Sequence, residues 1–129
     1  MATVYLIESD AAERRWLASA LVGIGDARVF VDPPAALLDR LPLGADDCLI
    51  FGADAGGTQA VELVRELRRR GATLPVVVLG PISALRAAVD IARLAATDFL
   101  ERPVSIGRLR SALRRMGCGV PAAAEGARR

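Results

Sequence analysis

Hydrophobic positions along the chain follow two alternating rhythms: short apolar runs, and longer stretches with apolar residues every three or four positions. Thr3 to Glu8 (TVYLIE) is the first run, β-branched and aromatic, and reads as a strand. Asp10 followed by Glu13 has the spacing of a helix capping box, and Trp16, Leu17, Ala20, Leu21 and Ile24 then mark one helical stripe ended by Gly25. Ala27 to Val31 is a second strand, and Pro33-Pro34 opens a short helix to about Leu41. Asp47 to Gly52 is continuously apolar after its first residue, as a strand covered on both faces would be. From Thr58 a helix turns Ala60, Leu63, Val64 and Leu67 inward and Glu62, Arg65, Glu66 and Arg70 outward, with Glu66 and Arg70 paired at i,i+4. Leu74 to Gly80 (LPVVVLG) is the clearest strand. Ser83 is the expected cap of a fourth helix with Leu85, Ala88, Ala92 and Ala95 on one face. Thr97 to Glu101 is a fifth strand, and Ser105 to Met116 a fifth helix that buries Ile106, Leu109, Leu113 and Met116 and shows Arg108, Arg110, Arg114 and Arg115.

Strands alternating with helices predict an α/β fold: a parallel sheet with helices on both faces, joined by right-handed crossovers. The flavodoxin-like (βα)5 three-layer sandwich, with strand order 2-1-3-4-5, is the expected solution. Any site then lies at the carboxyl ends of the strands, near the switch between the first and third. That singles out Glu8 to Asp10, Gly52 to Gly57, Gly80 to Ser83 and Glu101 to Pro103. One domain is expected over 1–116, with 117–129 as a flexible tail.

Composition removes much chemistry. All 17 basic residues are Arg, and Lys, His and Asn are absent, which excludes a lysine Schiff base, a phosphohistidine, a Ser-His-Asp triad and a His-ligated metal. Cys48 and Cys118 stand alone, without the spacing of a zinc cluster or redox pair. Two thiols and no signal-peptide pattern lead to an expected cytoplasmic location, and no apolar run approaches the ~20 residues of a membrane span. Residues 102–129 carry 7 Arg against Glu125 alone. This basic end reads as a solvated helix face and tail, so neither nucleic-acid binding nor membrane insertion is expected.

Taken together, VYLIESDAAER at the first strand–helix turn, LPVVVLG at the fourth strand and ATDFLERPV around the fifth resemble the receiver domain of bacterial two-component response regulators. The likeness is to the kind found in LuxR-type regulators and covers Thr3 to Met116. It implies a cis peptide bond before Pro103, and an aspartate at the end of the third strand that takes a phosphoryl group from a kinase phosphohistidine. Two acids after the first strand would hold Mg²⁺, a hydroxyl after the fourth would bind a phosphoryl oxygen, and a lysine after the fifth would pair with the phosphate. The acids fall on Glu8 and Ser9, the nucleophile on Gly52, the hydroxyl on Gly80 and the lysine on Arg102. The scaffold is therefore expected without its catalytic groups. Spacings of 44 residues from Glu8 to Gly52 and 22 from Gly80 to Arg102 support this assignment.

No cofactor is expected beyond a weak, water-rich Mg²⁺ site using Glu8, Ser9 and Asp54. Arg102 is expected to reach Glu8 or Asp54 and fill the cleft. Phe99, at the switch position that the resemblance implies, is expected as a fixed core ring. The function expected is that of a non-enzymatic pseudo-receiver acting by protein–protein contact, with a histidine kinase or another signalling protein as partner. Its homodimer would use Arg86, Asp90, Arg93, Asp98, Glu101, Arg108 and Arg110. Phosphorylation on a displaced Asp54, and a small ligand in the strand-end cleft, are the alternatives.

Overall fold

In the computed structural model, which describes residues 2–53, 57–94 and 96–117, successive side chains of each central strand turn to opposite sides of one sheet. The elements are β1 (Thr3–Ile7), α1 (Ala11–Ala20), β2 (Ala27–Phe30), a 3₁₀ segment (Pro34–Arg40), β3 (Cys48–Gly52), α2 (Thr58–Arg69), β4 (Val76–Gly80), a 3₁₀ turn (Ile82–Ala84), α3 (Leu85–Ala92), β5 (Thr97–Glu101) and α4 (Ile106–Arg115). All pairings are parallel and the order is β2-β1-β3-β4-β5, the flavodoxin-like order expected.

Strand alternation sorts the core into two layers. Val4, Leu6, Cys48, Ile50, Val77 and Leu79 meet Leu17 and Leu21 of the α1 region and Leu109 and Leu113 of α4 on one face. Tyr5, Ile7, Leu49, Phe51, Val76 and Val78 meet Leu37, Leu63, Val64, Leu67 and Ile91 on the other. The inward face of α2 is the one its 3.6-residue period indicates, with Val61 buried as well. Asp47 does not extend β3. It is buried in the preceding turn, where its carboxylate accepts from the Thr3 and Gly44 amides at 2.9 and 2.7 Å.

Several local expectations need correction. The segment after Pro33-Pro34 is 3₁₀ throughout, not α-helical. A 3₁₀ turn spans Ser83, and the N-cap position of α3 falls on Ala84 instead of Ser83. The expected inner face of α3 (Leu85, Ala88, Ala92, Ala95) falls on side chains outside the described set, as does the tail from 118 onward. Ile106 is 47% exposed instead of buried, because it occupies the first position of α4, beyond the edge of the core.

Arg110 also departs from its expected place. Its guanidinium lies across the end of α1, donating to Ala20 O at 3.2 Å and Val22 O at 2.7 Å. A helix's last carbonyls lack intrahelical donors and carry partial negative charge, and α1 has no basic residue in its own last turn. Arg110 from α4 supplies the missing donor, so it ties two helices together within one chain. Arg68 plays a similar part on the other face of the sheet, donating to Ala72 O and Ala96 O. Arg110→Ala should lower unfolding free energy in urea by about 1–2 kcal/mol, the worth of charged hydrogen bonds. Arg108→Ala, on the exposed side, should change it by less than about 0.5 kcal/mol.

Candidate functional site at the carboxyl edge of the sheet

The strand register brings four chain segments to one edge. Ile7 pairs with Phe51, Gly52 with Leu79 and Gly80 with Glu101, so Glu8, Gly52, Gly80 and Arg102 share the carboxyl end of the sheet. Glu8 is 6% exposed. A carboxylate removed from water needs a counter-charge and hydrogen bonds. Its Oε1 accepts from Arg102 Nη2 at 2.5 Å, and its Oε2 accepts from the Asp10 amide at 3.1 Å. Arg102 also donates from Nη1 to Ala53 O at 3.3 Å, while its own amide donates to Gly80 O at 2.8 Å. One residue thus ties β1, β3 and β4 together. The Arg102-Pro103 bond is cis, as the family resemblance implied.

The two glycines are fitted to these neighbours. A Cβ at Gly52 would overlap Glu8 Oε1 and stand 2.7 Å from Arg102 Nη2. The ion pair occupies the space that any side chain at 52 would need. A Cβ at Gly80 would stand 2.9 Å from Phe99 Cζ. Phe99 is half-buried and packs against the α2-side core with its ring over Gly80. A hydroxyl-bearing residue at 80 would require the Phe99 ring to shift.

Glu13 was expected to complete a capping box. Half of that box forms: Asp10 Oδ2 accepts from the Glu13 amide at 2.9 Å. The reciprocal bond does not, since the Asp10 amide is taken by Glu8. The Glu13 carboxylate instead stands 3.9 Å from Arg102 Nε, a buried donor with no hydrogen-bond partner among the described residues. Arg14 lies over the Phe30 ring, 4.5 Å from its centroid, and reaches Glu8 O at 3.4 Å. Sequence reasoning did not connect Glu13 with Arg102, because 89 residues separate them and only the meeting of α1 with the end of β5 brings them together.

Ser9 is exposed, and Asp54 lies outside the described residues. Both Glu8 oxygens are engaged and a guanidinium already sits against one of them, so a cation at Glu8 would have to displace Arg102. No group of three or more metal-ligating side chains occurs among the described residues. On the α3–β5–α4 side, Arg86, Arg93, Glu101 and Arg108 are exposed and Asp90 is half-buried. Asp98 is paired with Arg115 at 3.1 Å. No helix among the described residues is long and apolar enough to cross a membrane.

Two pairs of substitutions test this geometry. Glu8→Ala leaves a mostly buried guanidinium without its partner and should destabilise by about 3 kcal/mol, and a cycle with Arg102→Ala should show a coupling of about 1–3 kcal/mol. Gly80→Ser should destabilise by about 1–3 kcal/mol through overpacking, and Phe99→Ala in the same chain should remove most of that penalty. Urea unfolding of the single and double variants measures both.

No protein-family model matches the chain. It is 34% identical over 112 residues to the transcriptional regulatory protein FixJ of Azorhizobium caulinodans, covering 86% of this chain and 53% of that protein. Full-length FixJ from B. japonicum superposes with a TM-score of 0.70 at 28% identity, over 95% of this chain and 61% of that one. The N-terminal signal receiver domain of a two-component response regulator from Bacteroides fragilis superposes with a TM-score of 0.73 at 16% identity, over 93% and 99% of the two chains. The chain spans about half the length of the curated FixJ relatives it matches. The chain is thus similar in sequence to FixJ over about half of that protein's length, and similar in fold to a response regulator's signal receiver domain.

Proposed function

We propose that this chain is a pseudo-receiver, nearest in kind to the receivers of LuxR-type regulators, which signals by protein contact without aspartyl phosphorylation. The observation that carries this reading is the Glu8–Arg102 pair beside Gly52. Phosphoryl transfer depends on positioning a nucleophile and neutralising developing charge. Here the nucleophile's position has no side chain, and the neutralising cation is already committed to Glu8. Gly80 likewise offers no hydroxyl, and Phe99 fills the space above it. The domain's role is then binding and not catalysis, with a histidine kinase or another signalling protein as its partner.

The contact surface in this reading is the face of α3, β5 and α4, used by a second copy of the chain. Arg86, Asp90, Arg93, Asp98, Glu101, Arg108 and Arg110 supply both signs of charge, and Val89 and Ile106, each 47% exposed, supply apolar area. Two-fold symmetry can set acids of one copy against arginines of the other. Exposed pairs contribute only ~0–1 kcal/mol each, and Asp98 must leave or share Arg115, so the association is expected to be modest and salt-sensitive.

Incubation with acetyl phosphate and Mg²⁺ should leave the intact mass unchanged. A stoichiometric +80 Da adduct, about one phosphoryl group, mapped to Asp54 would contradict the proposal and identify a displaced acceptor. Sedimentation at micromolar concentration and low salt should show a dimer that Asp98→Arg weakens. A monomer under those conditions, or a dimer indifferent to that substitution, would remove the dimer from the account.

A further inference from the structure

Beside the ion pair lies a cleft of about 390 Å³, lined by Glu13, Trp16, Leu79, Arg102, Pro103 and Val104. We propose that this cleft binds a small organic cation, of the guanidinium or alkylammonium type, between the Trp16 indole and the Glu13 carboxylate. Its size falls within the range of small-ligand sites, and its walls are largely apolar with a few polar groups, the usual make-up of such sites.

The choice of a cation follows from the charges. Arg102 is neutralised by Glu8, with the two groups in direct contact. Glu13 is released from the capping box because Glu8 has taken the Asp10 amide. Among the described residues its carboxylate has no closer cationic partner than Arg102 Nε at 3.9 Å, beyond normal hydrogen-bond length. Two carboxylates thus face one guanidinium, leaving one negative charge at the cleft. Glu13 and Trp16 are three residues apart on α1 and so share a helix face. Indole is the strongest aromatic partner for a cation, and a planar guanidinium can also stack on it. Leu79, Pro103 and Val104 offer apolar contact to the ligand's hydrocarbon part on the other side of the cleft. The site rests on the ion pair being formed, not on the phosphorylation reading.

Trp16 is the only tryptophan, so its fluorescence reports on the cleft directly. The full chain should be titrated with ethylguanidinium chloride, with sodium chloride at matched ionic strength as the control and circular dichroism to confirm folding throughout. A saturable change in emission is expected, with half-saturation below about 10 mM, the affinity of a few weak contacts. Glu13→Gln should weaken it at least about ten-fold, the equivalent of 1.4 kcal/mol. Val104→Arg, which places a fixed guanidinium at the cleft, should abolish it. A linear response equal to that in sodium chloride would overturn the proposal, as would an unchanged response in folded Glu13→Gln or folded Val104→Arg. Acetyl phosphate labelling bears only on the phosphorylation reading, so the two proposals fail separately.

Discussion

A carboxylate buried at the end of a central strand needs a counter-charge, and Glu8 has one in Arg102. The cost of leaving either charge unpaired in this position is several kcal/mol, which makes the pair a constraint on everything near it. It fixes the start of α1, because the second Glu8 oxygen accepts from the Asp10 amide. It fixes the end of β5, because the residue carrying the guanidinium also bonds to Ala53 O and Gly80 O. It fills the space beside Gly52, where a Cβ would push the two charged ends from their present positions.

The second glycine obeys a parallel constraint. Phe99 lies on β5 opposite Val78, one residue before the pairing of Leu100 with Leu79, and its ring folds over Gly80 at the end of β4. A ring in this place adds apolar burial to the α2-side core, and it can do so only where residue 80 has no Cβ. Gly52 and Gly80 are therefore each matched by a contact that occupies the space beside them. Each glycine and its neighbour form a packed unit, so a side chain added at either position alone would displace the group beside it.

Much of the fold was legible in the sequence, because strands buried on both faces must be continuously apolar. LPVVVLG and CLIFG have no other comfortable place in a protein of this size. What escaped was long-range geometry. The helical period put Arg110 on the outer face of α4, but the open end of α1 lies beside it and binds its guanidinium. Period also put Ile106 inside, although the core ends one turn later, at Leu109. The capping-box spacing of Asp10 and Glu13 was real for one bond only, since the other donor was claimed by Glu8. At the site, the residue types at 8, 52, 80 and 102 were readable from strand ends and spacing, and the attraction of Arg102 for a carboxylate was expected on charge. That the pair fills the void left by Gly52 depends on the register of β1, β3 and β5, which no local pattern encodes.

The central claim is that an internal guanidinium occupies the place of a phosphorylation site. It is tested most directly by the NMR signals of the Arg102 side chain and of the Glu8, Ala53 and Phe99 amides. The account predicts resolved, slowly exchanging Arg102 guanidinium protons, and no displacement of any of these signals on adding Mg²⁺ with beryllofluoride, a phosphoryl mimic. Fast-exchanging guanidinium protons together with a saturable shift of the Ala53 and Phe99 amides would show an open site that still takes a metal and a phosphoryl group, and would contradict it.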